Sequence, residues 1–486
     1  MPCGLPGGFG PVVARPGPYR RRCVAGAAIA FTGFSVAAFL SHPRAKTYTR
    51  EAGIVSGHPS SRETRLYQKT VLANGLRVMT TRMPHARSAS VSFYVGAGNR
   101  YEDESTSGLS HYLEHILFKG TRRYPTPKRV SETVESVGGV LNATTDREAT
   151  VYYAKVPKAH IGEAIDLLID MLSAPLMDPA EFEKERGVIL EELAATEDSP
   201  GDQAALLLDS ILFPHQPLGW DIGGTAASVK ALTREQALDY LAVQYVPNNI
   251  VMSVAGDIEH EAIVAQVDGL TRDWARGTPG GWHPALNGHK GPVARLKSKR
   301  TEQAHLTMAV PGYSLVHPER QALDIMSTIL GEGMSSRLFT EIREVRGLAY
   351  DVHSYIEHYQ DTGVFGVGAG VDPENAQETV TAILEELARI RDHAVEDDEL
   401  AKAKQLAAGR LELRMEDTRS VSGWVGSQEL LLGQVLTPEQ VLARIDLLTP
   451  ADLSRVATDL LRRDALHLAI VGPFRGAAKF AALLQL

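Results

Sequence analysis

Residues 114–121 read EHILFKGT and residues 327–334 read STILGEGM, the same apolar frame met twice at a separation of 213. Working outward, VYYAKV from Val151 returns as VFGVGA from Val364 at that same offset. AIDLLIDML from Ala164 returns as TVTAILEEL from Thr379 at 215, and IVMSVAGD, through Gly256, returns as LHLAIVGP, through Gly472, at 216. The apolar run 91–95 maps near 306–310. Each match alone is weak, but a nearly constant offset across five segments indicates an internal duplication. Within each copy short β-rich runs alternate with amphipathic helices, so the expected class is α+β, with two homologous halves, each a mostly antiparallel sheet carrying packed helices.

Local signals fill in this frame. Residues 71–80 around Asn74-Gly75 predict a hairpin. Residues 164–172 and 179–195 predict helices, the second opened by Asp178 as N-cap and Pro179 at its first position. Five glycines and three prolines in 277–292 mark a linker. The expected organisation is therefore a leader over 1–64, one half over 65–276, the linker over 277–292 and the second half over 293–486.

A chain of 486 residues with 44% apolar and 22% charged residues has the composition of a globular protein of more than one core. Its only cysteines, Cys3 and Cys23, precede the body, so no disulfide or cysteine–metal framework holds it. Seven of the 50 Lys/Arg and none of the 59 Asp/Glu fall in residues 1–50, which makes the body more acidic than the net charge of −9 suggests. Such a body argues against nucleic acid as a partner and is compatible with cationic peptides. The leader, with Arg20 to Arg22 ahead of an apolar run to Leu40, fits an export signal or membrane anchor, a mitochondrial transit peptide, or an extension ahead of a misassigned start. The compartment stays open among these.

The chemistry is concentrated in HYLEH, residues 111–115. On a helix, His111 and His115 are four apart and project from one face, where two imidazoles can share a cation. Glu114 is placed to reach a water on that cation, and the order H-x-x-E-H is the inverted-zincin pattern. Sixteen histidines make a chance occurrence real enough that the pattern alone decides nothing. A catalytic zinc needs a third protein ligand. The helix EKERGVILEEL offers Glu185 and Glu192, two turns apart, of which Glu192 could ligate while Glu185 supports a histidine from behind. In the second half the equivalent positions are Asp324, Ser327, Thr328, Ala403 and Arg410, so only the first half is expected to bind metal.

From about Tyr67 onward the chain resembles the pitrilysin-type inverted zincins, the group of insulin-degrading enzyme and the mitochondrial processing peptidase. The resemblance rests on HYLEHILFKGT, then GGVLNATTDREATVYYAKV, then ERGVILEEL with Glu192 placed 77 residues after His115, then LGWDIGGT from Leu218. It implies a clamshell of the two halves around a peptide chamber and one zinc per chain on His111, His115 and Glu192. It further implies Glu114 as the base, Glu185 supporting the site, and Asn142 and Ala143 in a strand that pairs with bound peptide. REVRGLAY in the second half matches the family's Arg/Tyr pair, so Arg343 and Tyr350 are expected to meet substrate across the cleft, with Tyr350 as a donor to the oxyanion.

Two departures bear on substrate. The glycine-rich loop of the noncatalytic processing subunit is matched only by the short GEGMSSRL from Gly331. Asp202, ten residues beyond Glu192, suits a basic presequence, but Leu206 stands where the processing enzyme has a second acid. The expected activity is thus a zinc-dependent endopeptidase acting on peptides or unfolded, presequence-like segments. The competing expectation is a noncatalytic scaffold of the same fold. A homodimer, or a heterodimer with a related chain, is the assembly the resemblance implies.

Overall fold

The computed structural model describes residues 66–486 apart from 287 and 289. The expected leader and both cysteines lie outside the described residues. Among the described residues the strands are β1 Gln68–Val71, β2 Arg77–Arg82, β3 Ser88–Val95, β4 Val140–Thr145, β5 Thr150–Pro157, β6 Ile250–Gly256, β7 Val293–Ser298, β8 Ala304–Gly312, β9 Ala349–His358, β10 Gly363–Val371 and β11 His467–Gly472. They form a six-stranded sheet in the order β1-β2-β6-β3-β5-β4 and a five-stranded sheet in the order β7-β11-β8-β10-β9.

The duplication is visible in this topology. The run β2-β6-β3-β5-β4 and the run β7-β11-β8-β10-β9 share their order and directions: one parallel pair (β2 with β6, β7 with β11), then antiparallel neighbours. The strands that recur at offsets of 213 to 216 are the central ones, and their alternating apolar residues fill both cores. β1 is an extra strand, added by the expected hairpin: Gly75 takes φ 91°, and Asn74 Oδ1 accepts the Leu76 N–H at 3.0 Å. The expected helices are observed as Ile161–Ser173 and Pro179–Asp198, the latter capped by Asp178 on the N–H groups of Ala180 and Glu181.

One feature has no simple signature in the sequence. The helix Pro200–Leu212 packs on β8 and β11 of the five-stranded sheet, and the helix Thr418–Leu432 packs on β3 and β6 of the six-stranded one. Each sheet is covered by a helix from the other copy. At the second of these contacts small residues allow close approach: Ser422 Oγ bonds to Ser92 Oγ (3.1 Å) and Ser253 O (2.9 Å), and a Cβ on Gly426 would lie 2.4 Å from a Tyr94 ring carbon. Arg100, fully buried, ties the linker to both copies. Its guanidinium donates to Glu148, to Asp361 and to the carbonyl of His283, and lies 4.3 Å from the Trp282 ring centroid.

Candidate metal centre and catalytic residues

The helix Leu109–Ile116 starts after Gly108, whose φ of 93° needs glycine, and buries Leu109, Tyr112, Leu113 and Ile116. Its first N–H groups are taken by the buried carboxylate of Glu102, from Gly108 at 2.8 Å and Ser110 at 2.6 Å. Tyr112 stacks on Phe182 with ring centroids 4.3 Å apart and donates its hydroxyl to the Phe182 carbonyl, fixing this helix against Pro179–Asp198. Held against that helix, the histidine helix brings His111 and His115 to Glu192, further along the same helix from Phe182.

The three expected ligands converge. His111 Nε2 and His115 Nε2 are 3.2 Å apart, and Glu192 Oε2 lies 3.4 Å from His115 Nε2 and 3.8 Å from His111 Nε2. Four-coordinate zinc with bonds of about 2.0–2.2 Å separates its ligand atoms by roughly 3.3–3.6 Å, so this triangle is the size of one face of that tetrahedron. Among the described residues these three form the one such group of His, Cys, Asp and Glu. Burial, reinforced by the neighbouring His115, pushes His111 down to about 4, which keeps it in the neutral form that binds metal. Burial pulls His115 the same way, but its hydrogen bond to Glu185 and the fields of Glu192 and Glu114 outweigh this and raise it.

Glu185 is placed behind His115 rather than among the ligands. Its side chain is 3% exposed, with Oε1 3.2 Å from His115 Nδ1 and Oε2 2.5 Å from Lys119 Nζ. Burial works against the Glu185 charge, and His115 and Lys119 restore it, so its ionisation lies below the ordinary carboxylate range. Glu114 accepts a 2.6 Å hydrogen bond from Thr145 Oγ1, and burial raises its ionisation against that bond. Lys119, Thr145 and Glu102 were not singled out from the sequence, although the first two lie inside the quoted motifs. Their roles depend on partners 66, 31 and 8 positions away. LGWDIGGT also gains a place: the Gly223 backbone packs beside His111, where a Cβ would sit 3.7 Å from Nδ1.

The remaining candidates lie on other strands and helices. Asn142 and Ala143 lie on β4, the edge of the six-stranded sheet, which among the described residues is paired on one side only, with β5. Asn142 Oδ1 accepts the Ala143 N–H at 2.8 Å. Arg343 lies in the π-helical turn Phe339–Val345, and its guanidinium is 4.5 Å from the ring centroid of Tyr350 on β9. The structure thus joins that pair, and leaves the Tyr350 side chain 76% exposed. Asp202 is not one of the three grouped metal-ligating side chains. It stands in the first turn of Pro200–Leu212, where it and Asp351 act on His305 of β8.

Two family descriptions match the chain: "Insulinase (Peptidase family M16)" over residues 77–226 and "Peptidase M16 inactive domain" over 231–407. An uncharacterised zinc protease of Streptomyces coelicolor is 37% identical over 414 residues, spanning 84% of this chain and 90% of that protein. A protease from Helicobacter pylori superposes with a TM-score of 0.80 at 22% identity, covering 84% of this chain and 99% of that one. A chain of complex III2 from Candida albicans superposes with a TM-score of 0.73, also at 22% identity, covering 84% and 96%. At such identities the two structures speak for the fold alone.

Proposed function

Because the chain belongs to the insulinase family of peptidases, family M16, we propose that it is a zinc-dependent metalloendopeptidase acting on extended peptides or unfolded segments. The observation that carries this reading is the triangle of His111, His115 and Glu192 with Glu114 on the same helix. Zinc, when bound there, supplies Lewis acidity toward water and a carbonyl oxygen.

The protein's own groups do the rest. Glu192 and the two imidazoles hold the ion, Glu185 fixes the ring of His115, and Lys119 fixes Glu185. Glu114 takes a proton from the attacking water and returns it to the leaving amine. With one oxygen held by Thr145, it presents the other for that exchange. The open edge of β4 accepts substrate as an added strand, recognised by its backbone, which selects for an extended conformation over a particular sequence. Arg343 and Tyr350 contact substrate from the second sheet, the phenol serving as a donor to developing negative charge.

The purified chain should contain one zinc and cleave a mixed peptide set, with turnover abolished by a chelator and recovered on adding zinc. One zinc without turnover of any peptide would favour a noncatalytic scaffold. No zinc at all would end the metal reading.

A further inference from the structure

We propose that Thr145 is a positioning residue that couples occupation of the β4 edge to the aim of Glu114. The inference rests on the peptidase reading above and adds a residue and a substrate dependence to it. Thr145 is the last residue of β4, the strand whose far side is unpaired among the described residues. Along that strand Val140, Asn142 and Thr144 are exposed while Ala143 is buried, so one side-chain face and the backbone edge are presented together. At its end the Thr145 hydroxyl donates to Glu114 Oε2 at 2.6 Å.

A glutamate side chain has three rotatable bonds, and a carboxylate that has to meet a water loses rate whenever it samples other rotamers. The hydroxyl removes that freedom for one oxygen. Its own position is set by β4, which has ladder bonds on one side only until a peptide supplies the other. A bound strand therefore stiffens the element from which the base is held.

The metal-free half shows that this helix-to-edge-strand link belongs to the frame. There Ser327, the counterpart of Glu114, bonds through Oγ to Ser354 Oγ of β9 at 2.8 Å, and Asp324, the counterpart of His111, meets His358 Nε2 at 3.0 Å. Both bonds join the helix Arg320–Gly331 to an edge strand. In the first half the same kind of bond ends on the base.

The test uses the full chain carrying Thr145→Val or Thr145→Ser. The probes are a quenched-fluorescent peptide that the wild type cleaves and its analogue N-methylated at the backbone amides flanking the cleaved bond, which blocks strand pairing. Thr145→Val should lower kcat on the parent peptide on the order of tenfold to a hundredfold at nearly constant KM and zinc content. Thr145→Ser should restore it. Backbone methylation should cost the wild type kcat as well as KM, and cost Thr145→Val only KM. Crystal structures of the zinc-free proteins should show one Glu114 orientation in wild type and several in Thr145→Val. Wild-type kcat in Thr145→Val, an equal defect in both variants, or an unchanged Glu114 would overturn the proposal. A wild type that cleaves nothing would overturn the peptidase reading, and the zinc-free structures would still decide whether Thr145 positions Glu114.

Discussion

Lys119 Nζ lies 2.5 Å from Glu185 Oε2, while the other oxygen of that carboxylate faces His115 Nδ1 at 3.2 Å. A buried carboxylate so close to a metal site has two fates: it supports the ligand histidine, or it turns toward the ion. The lysine selects the first, by holding one oxygen and keeping the group charged. Replacing it with methionine leaves Glu185 buried beside a single donor, where protonation becomes easier. Lys119→Met should release zinc to a chelator about 10- to 100-fold faster than wild type, the usual cost of losing an outer hydrogen-bond partner, and Lys119→Arg should recover part of it. An unchanged release rate in the methionine variant would show that Glu185 needs no help.

The division between ligand and base is testable by separating zinc content from turnover. His111→Ala and His115→Ala should each lose the ion, since no neighbour among the described residues replaces the missing donor. Glu192→Gln should weaken retention. Glu114→Gln should keep zinc and fold and lose turnover, because an amide cannot accept the proton. Full zinc in either alanine variant would refute the ligand set, and an active Glu114→Gln would refute the base.

Much of this was legible from spacing. The i, i+4 histidines and the two-turn separation of Glu185 and Glu192 are helix-period facts, and helices keep that geometry when they fold. The α+β duplication showed because core strands repeat their apolar residues. What stayed hidden depends on packing between distant segments. Nothing in PGDQAALLLDSIL says that this helix covers β8 and β11 rather than its own sheet, because an apolar face does not name its partner. Glu102 as the cap of the histidine helix was equally invisible, since its oxygens reach six and eight residues ahead through an irregular turn.

Tyr350 makes a narrow test of the second sheet's part in catalysis. Its ring already lies against Arg343 and its side chain is open to solvent, so Tyr350→Phe removes a hydroxyl without touching a core. If the phenol donates to the oxyanion, kcat should fall by ~100- to 1,000-fold, with zinc content and melting temperature unchanged. Wild-type kcat would reduce the pair to a binding contact.

Glu102 predicts a pH dependence with a definite sign. Burial pushes its ionisation up to about 7, against the pull of the Ser110 and Gly108 donors. In the unfolded chain a glutamate ionises near ~4.3. Between those values the folded protein holds the extra proton, so this group's contribution to stability is greatest at the acid end and declines as pH rises toward 7. Glu102→Gln removes the titration, and its denaturant midpoint should fall less than that of wild type between pH 5 and pH 8. Parallel curves for the two proteins would refute the assignment.

The exchanged helices predict that neither half is a stable unit. Residues 66–276 alone would leave β3 and β6 without the helix Thr418–Leu432 and expose the buried seam of Ser90, Ser92 and Ser253. Residues 277–486 alone would lack the helix that brings Leu208 and Leu212 onto Ala309 and Ala469. Separation would also take Asp361 away from Arg100, which keeps only Glu148 within its own fragment. Expressed singly, both fragments should be aggregated or without a cooperative melt. Expressed together, they should copurify, bind zinc and regain the activity of the intact chain, because the linker adds proximity rather than contacts with the metal ligands. A soluble, cooperatively melting 66–276 fragment that binds zinc by itself would show that the exchange is decoration on two independent domains.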